Sequence, residues 1–408
     1  MMPLPKAGQR LEILANIRNV KMARSSHAYV RGSTAQFYSW LDSVEPASMP
    51  EGPAIWICGD CHTGNLGPVA NAKGKVEIQI RDFDQTVIGN PAHDLIRLGL
   101  SMATALRSSA LPGVTTAKML ERLSDGYADA FEAKPENMDK VERPSDIHFT
   151  MKEALRRSWR HLAKERVAGG AVTFPLGKRF WPLSAAERRA VKNMFETSEL
   201  HHLATMLRKR DNDAKVRLLD SAYWMKGCSS LGLLRIAALL DVDRSASKGS
   251  DMCLIDIKEG VKAAAPRNRS AVMPRDNAER IVTGARALSP HLGERMVAME
   301  LLERSVFVRE LLPQDLKLEI EQVSENESSS VAYYLAKVVG EAHARQMDDA
   351  TRRQWRSELK KNRSKSLDTP TWLWKSVVDL MAEHERGYLE HCRRYSLSQA
   401  SATTAARR

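Results

Sequence analysis

The sequence predicts a mixed α+β chain on three observations. Helical periodicity runs through residues 10–43, from Asp94 to about 205, and through 276–304, 329–347 and 371–395. Between these, residues 53–90 and 215–260 change to apolar runs with period-two alternation, as in Val76, Ile78 and Ile80. Two such runs, LLRIAALLDV and DMCLIDIK, flank the polar turn DRSASKGS, which is a hairpin signal.

Each element follows from its local chemistry. Residues 1–210 read as a largely helical part interrupted by the strand-rich stretch at 53–90. Residues 211–314 read as a small β-rich part, to which SVFVREL contributes a short strand. Residues 315–395 return to helix, and the polar end SLSQASATTAARR predicts a disordered tail over 396–408.

The chain has 408 residues, 43% hydrophobic and 27% charged, enough for two domains or one large two-lobed one with a sizeable core. Its start, MMPLPKAGQRLEILANIRNVKM, has no apolar segment of signal-peptide length, and no run approaches 18 apolar residues. The five cysteines (58, 61, 228, 253 and 392) are few and odd in number, which suits a reducing compartment. The expected location is the cytoplasm, with no membrane association. The net charge of +12 favours anionic partners. Basic residues concentrate in KEALRRSWRHLAKERV (152–167) and at Lys178, Arg179, Arg188, Arg189 and Lys192, where an anionic acceptor could bind. No nucleic-acid-binding motif accompanies them, so nucleic acid is not an expected partner.

Residues 58–62 read Cys-Gly-Asp-Cys-His, the form of a c-type haem attachment site. Haem attachment normally follows export, and no export signal is visible. Zinc would need two further ligands, and no second paired motif supplies them. The expectation is that Cys58 and Cys61 are small neighbours of a functional aspartate.

Shifted by two, the same loop places Asp60 five residues before Asn65, and the strand VEIQI then delivers Asp82 and Asp84. Phosphoryl transfer from ATP needs this set. One carboxylate orients and deprotonates the attacking hydroxyl, while an amide oxygen and a second carboxylate hold Mg²⁺, a hard cation that prefers oxygen ligands. Protein kinases use the same five-residue Asp–Asn offset. Later in the chain, Gly227-Cys228-Ser229-Ser230-Leu231-Gly232 has G-x-G-x-x-G spacing with serine in the middle. A strand, a turn and LIDIK ending in Lys258 follow, in the order of a kinase small lobe. Glu279, in NAERIVTGARAL, is the expected ion-pair partner of Lys258, with Glu300 and Glu303 as alternatives.

The loop GDCHTGN, the strand end IRDF and GNPAHDL resemble the aminoglycoside phosphotransferase and choline kinase group. The resemblance implies Asp60 as base, Asn65 and Asp82 as metal ligands, Asp84 as an additional one, and Asp94 as a structural brace. It also implies that His62 supports the loop by hydrogen bonding. Gly227, Ser229, Ser230, Gly232 and Lys258 would hold the nucleotide. The catalytic hairpin precedes the glycine loop here, as in a circularly permuted, protein kinase-like two-lobed fold. Such a permutation is physically accessible because chain termini often lie close together.

The whole chain is similar to the bacterial family catalogued as domain of unknown function 2252, placed near the kinase-like superfamily. The matching stretches run in order from SSHAYVRGST through CGDCHTGNLG, RDFDQTVIGNPAHDLIRL, GCSSLG, LIDIKEG, ERIVTGARAL, VFVRELLPQDLK and EAHARQMD to HERGYLEHCRRY. Ser229 departs from the family's glycine. Arg31 is expected either to reach the phosphates or to pair with an aspartate of the hairpin. Arg309 and Glu310 are expected at the hinge between lobes. The implied activity is an ATP- and Mg²⁺-dependent phosphotransferase acting on a hydroxyl-bearing substrate. AMP transfer on the same fold, or nucleotide binding without catalysis, are the alternatives.

Overall fold

The computed structural model describes residues 5–108, 113–132, 138, 141–157, 173–207, 210–228, 230–243, 253–268, 270–316, 325–361 and 369–405. The first helical stretch forms three helices, α1 (Arg10–Met22), α2 (Ser26–Gly32) and α3 (Thr34–Ser43). The Ser25 hydroxyl caps α2 by accepting from the Ala28 N–H.

Four short strands follow: β1 (Ile55–Ile57), β2 (Leu66–Ala70), β3 (Val76–Ile80) and β4 (Val87–Gly89). β2 and β3 form an antiparallel hairpin with Leu66 opposite Ile80. β1 and β4 pair antiparallel with Ile57 opposite Val87. The loops 58–65 and 81–86 are therefore each anchored at one end by one ladder and at the other end by the second. They are forced to lie side by side.

Helices α4 (Ala92–Ser108) and α6 (Ser145–Arg156) pack against these hairpins and their loops, and α5 (Gly113–Asp129) packs on α4. Three helices from the far end of the chain join them: α11 (Glu325–Ala344), α12 (Asp349–Lys360) and α13 (Thr371–Ala405). Their shared core includes Ile57, Ile80, Leu95, Leu98, Leu120, Leu335 and Leu373, all buried. Segments distant in sequence thus close one core, and burial of their apolar side chains is the main force holding them.

The second body is a six-stranded sheet in the order β5 (Phe180–Trp181), β6 (Val216–Trp224), β7 (Arg235–Val242), β8 (Cys253–Glu259), β10 (Arg304–Leu311), β9 (Met296–Leu301). Every neighbouring pair is antiparallel. β7 is buried at every position, as an inner strand covered on both faces should be. Its core also takes in α7 (Ala185–Met194), α8 (Ser198–Thr205) and Leu14 of α1. Residues 181–204 therefore pack with the sheet that begins after the expected division at 210. Between β8 and β9 lie α9 (Asn277–Leu288) and the short α10 (Pro290–Gly293).

Several expectations are corrected. Residues 276–304 are not one helix: α9 ends at Leu288, and MVAMEL forms β9 against β10. A short apolar run does not distinguish strand from helix by periodicity. The tail expected to be disordered continues α13 as far as Ala405, with no glycine or proline between 388 and 405 to stop it, and 406–408 lie outside the described residues. Arg309 and Glu310 do not form a hinge. They sit inside β10, between β8 and β9, where the backbone is committed to ladders. Helix α12, absent from the sequence reading, turns only Trp355 and Leu359 inward from an otherwise polar surface. The basic stretch 152–167 is described only as far as Arg157, its first turns belonging to α6. Among the described residues, no helix is long and apolar enough to cross a membrane.

Candidate functional site

One face of α4 organises the loop 58–65. Asp94, Arg97 and Ser101 stand at i, i+3 and i+7, which aligns them along a single helix face. Asp94 accepts from the N–H groups of Cys58 (2.7 Å) and Gly59 (2.9 Å). His343 of α11 reaches the same carboxylate at 3.2 Å, and its other ring nitrogen is 2.8 Å from the Tyr127 hydroxyl. Ser101 accepts from the Thr63 N–H at 3.3 Å. Asp94 is thus the brace that the resemblance implied.

Arg97, fully buried, donates through Nε to Asp60 Oδ1 (2.9 Å) and through Nη2 to the Val30 carbonyl (2.6 Å). The Thr34 hydroxyl donates to Asp60 Oδ2 at 2.9 Å. Burial pushes the Asp60 carboxyl above its ordinary value, and Arg97 and Thr34 offset that only in part. His62 is buried, with Nε2 3.9 Å from Asp60 Oδ2 and Nδ1 without a hydrogen-bond partner. The Nδ1 of His62 therefore gives the loop no supporting hydrogen bond. Burial, with Arg31 and Arg97 nearby, holds the imidazole well below its usual pKa, so it is neutral near pH 7.

The Asn65 amide donates to the Asp60 carbonyl at 3.0 Å. Asn65 lines the cleft beside Asp82. Burial alone would raise the Asp82 carboxyl. Lys258, Arg309 and Arg235 outweigh it and hold Asp82 well below the usual carboxylate range. Asp82 is therefore ionised, with 41% of its side chain exposed.

Lys258, from β8, forms ion pairs with Asp84 and, at 3.6 Å, with Asp82. It does not pair with Glu279, which is exposed on α9. The neighbouring residue of α9, Arg280, is buried. Its guanidinium donates to the carbonyls of Thr86, Asp84 (3.1 Å) and Val261 (2.9 Å), clamping the loop 81–86 to the sheet. Asp84 is pushed up to about 6 by burial and by Asp82. One of its oxygens is taken by Lys258, which Asp84 braces, and the other is buried without a hydrogen bond.

The sheet faces this cleft with arginines. Asp256 is bound bidentately by Arg235, at 2.8 and 2.5 Å, and by Arg309 at 3.3 Å. Arg309 also donates to the Arg81 carbonyl at 3.0 Å, linking the sheet to the hairpin. The glycine loop joins β6 to β7. Gly227 and Ser230 line the cleft with Asn65 and Asp82. Gly232 instead packs near Leu11, and Ser229 lies outside the described residues. Arg31 lies against Gly64 at the cleft wall.

Sequence reasoning missed Arg97, Thr34, Arg280 and the Asp256 cluster. Arg97 carried a signal, since an arginine inside the apolar run DLIRLGL, three residues after Asp94, demands a buried partner. The others had no local signal. Cys58 and Cys61 are both free and fully buried in the core, and burial contributes to raising both thiols.

Fold and site together define a mixed α/β protein with antiparallel sheets and a polar cleft between a helical body and a six-stranded sheet. The family model for DUF2252, described as an uncharacterized protein conserved in bacteria, matches residues 10–394, and the chain belongs to that family. Neither the curated proteins nor the solved structures give a match.

Proposed function

We propose that the protein is a circularly permuted, protein kinase-like phosphotransferase that uses ATP and Mg²⁺ to phosphorylate a hydroxyl group. The observation that carries this reading is the convergence on one cleft of an Asp60–Asn65 loop and Asp82, with Lys258 beside Asp82. These groups come from segments almost 200 residues apart in the chain. The element order of the sheet supports the reading too: glycine loop, strand, lysine strand, helix, two strands.

The donor set suits a hard cation. Asn65 carries an amide oxygen and Asp82 an ionised carboxylate, the ligand types that Mg²⁺ prefers. A bound Mg²⁺–triphosphate would supply the transferable phosphoryl group with its charge neutralised. The chain's own residues do the rest. Asp60, held by Arg97 and Thr34 and raised by burial, orients the acceptor hydroxyl and takes its proton. Lys258 lends positive charge beside Asp82, and the loop at Gly227 and Ser230 offers backbone N–H groups to phosphate oxygens.

The test is transfer of label from γ-labelled ATP, in parallel with α-labelled ATP, by wild type and Asp60→Asn. The expected result is Mg²⁺-dependent movement of the γ-label, slowed in Asp60→Asn by about 10²–10⁴-fold. Retention of the α-label on an acceptor would replace this reading by AMP transfer. Nucleotide binding with neither label transferred would replace it by a non-catalytic nucleotide-binding role.

A further inference from the structure

A groove of about 460 Å³ opens from the cleft between α1–α2 and the end of β6. The two share Arg31, Lys226, Gly227 and Cys228, so they are continuous. The groove's charged lining is Lys21, Arg24, Arg31, Arg179 and Lys226, with no carboxylate among them. The chain as a whole carries 62 basic and 50 acidic residues, so a lining with one sign only departs from its average surface. The cations are also placed rather than scattered. Lys226 lies over the Trp224 ring at 4.3 Å, and Lys21 donates to the Gly227 carbonyl at 3.2 Å. A side chain at Gly64 would put Cβ 2.7 Å from Arg31 Nη2, so the absence of one lets the guanidinium lie against the loop that carries Asp60. At the inner end, the buried His62 lines the cleft with an unpartnered Nδ1.

We infer that this groove binds the acceptor, and that the acceptor is a small alcohol bearing a phosphate ester. The inference rests on the phosphotransferase reading of the adjoining cleft. The volume suits a small molecule, since ligand pockets run from about 300 to 1,000 Å³. Guanidinium forks match phosphate geometry bidentately, and Arg24, Arg31 and Arg179 supply three of them. With the phosphate ester held there, the acceptor's hydroxyl extends into the adjoining cleft, where His62, Gly64 and Asn65 belong to the loop that carries Asp60. Its oxygen forms the new bond to the γ-phosphorus while the bond to the β,γ-bridging oxygen breaks. ADP leaves with that oxygen, and the hydroxyl proton passes to Asp60.

The experiment is calorimetric titration of glycerol 3-phosphate, glycerol and a duplex oligonucleotide into the full chain. It compares wild type, the double variant Arg24→Glu/Arg179→Glu, and Asp82→Asn. Arg24 and Arg179 are exposed, so the double variant is expected to fold, which thermal unfolding checks. The expected result is that wild type and Asp82→Asn bind glycerol 3-phosphate but not glycerol, and that the double variant binds it at least tenfold more weakly. Undiminished affinity in the double variant, or no binding to wild type, would overturn the inference. Tighter binding of the oligonucleotide would overturn its small-molecule form. Thermal unfolding with MgATP on the same proteins separates the two readings. Glycerol 3-phosphate binding without any MgATP stabilisation of wild type overturns the acceptor role along with the phosphotransferase reading.

Discussion

The wall of the cleft formed by residues 58–65 is held by buried side chains of α3 and α4, whereas the opposite wall turns at the exposed Gly227 and is reached from α1 and β7. On the first wall, Asp94, Arg97 and Ser101 hold the backbone at Cys58, Gly59 and Thr63 and the side chain of Asp60. On the second, Lys21 reaches the Gly227 carbonyl at 3.2 Å and Arg235 reaches the Lys226 carbonyl at 3.4 Å. Gly227 itself is exposed and takes a left-handed backbone with φ of 99°. One wall is preorganised by interior hydrogen bonds in a medium of low dielectric. The other turns through a solvent-exposed glycine, where the surrounding dielectric is high.

Breaking the rigid wall should have the largest effect. Arg97→Met leaves the Asp60 carboxylate buried without its charge partner, and removing one member of a buried pair costs about 3–5 kcal/mol. Urea denaturation would measure it, and a loss below 1 kcal/mol would mean that the helix face does not hold the loop. The opposite wall should respond less. Gly227→Ala forces a side chain into the left-handed region and sets Cβ 2.7 Å from the Ser230 hydroxyl oxygen, for about 1–3 kcal/mol of local strain. Its melting temperature should fall less than that of Arg97→Met.

A smaller effect comes from pH. Burial drives His62 well down, and drives His93 and His384 to about 4. Each is neutral in the fold and takes up a proton on unfolding once the pH is below about 6.5. The unfolded state then binds more protons, so stability falls as pH drops from about 6.5 toward 4. Each histidine contributes about 1.4 kcal/mol per pH unit there. Asp84 acts in the opposite sense. Its folded value of about 6 lies above its ordinary 3.8, so between these it holds a proton in the fold and offsets one histidine. His384→Gln should flatten the acid limb of a stability–pH curve, and an unchanged slope would contradict the assignment. The smallest effect is on amide exchange. The Cys58 and Gly59 amides should exchange only near global unfolding, while Gly227 and Cys228 exchange through local opening.

The same contrast explains how much the sequence disclosed. The loop 58–65, the pair Asp82 and Asp84, and the brace Asp94 fall within 37 consecutive positions, so their spacing alone suggested one site. The partner of Lys258 did not follow, because Asp84 stands 174 residues away and no local pattern records which carboxylate a folded chain brings to a lysine. Glu279 lies on the helix that follows Lys258, yet it is exposed, and its buried neighbour Arg280 meets the loop 81–86. The basic groove beside the cleft has no continuous signal in the sequence for the same reason. Its cations come from α1, α2 and the turn between them, the residue before β5 and the turn after β6, and none belongs to the basic run at 152–167. Strand β9 was lost to the ambiguity of a six-residue apolar run.

The most direct measurement is thermal unfolding of wild type and Asp82→Asn with ATP, with and without Mg²⁺. A ligand at about 100 times its dissociation constant stabilises the native state by about 2.7 kcal/mol. We expect a Mg²⁺-dependent ATP shift of that order in wild type and none in Asp82→Asn. No shift in wild type with ATP and Mg²⁺, or an equal shift in Asp82→Asn, would contradict the assignment of the cleft as a metal–nucleotide site.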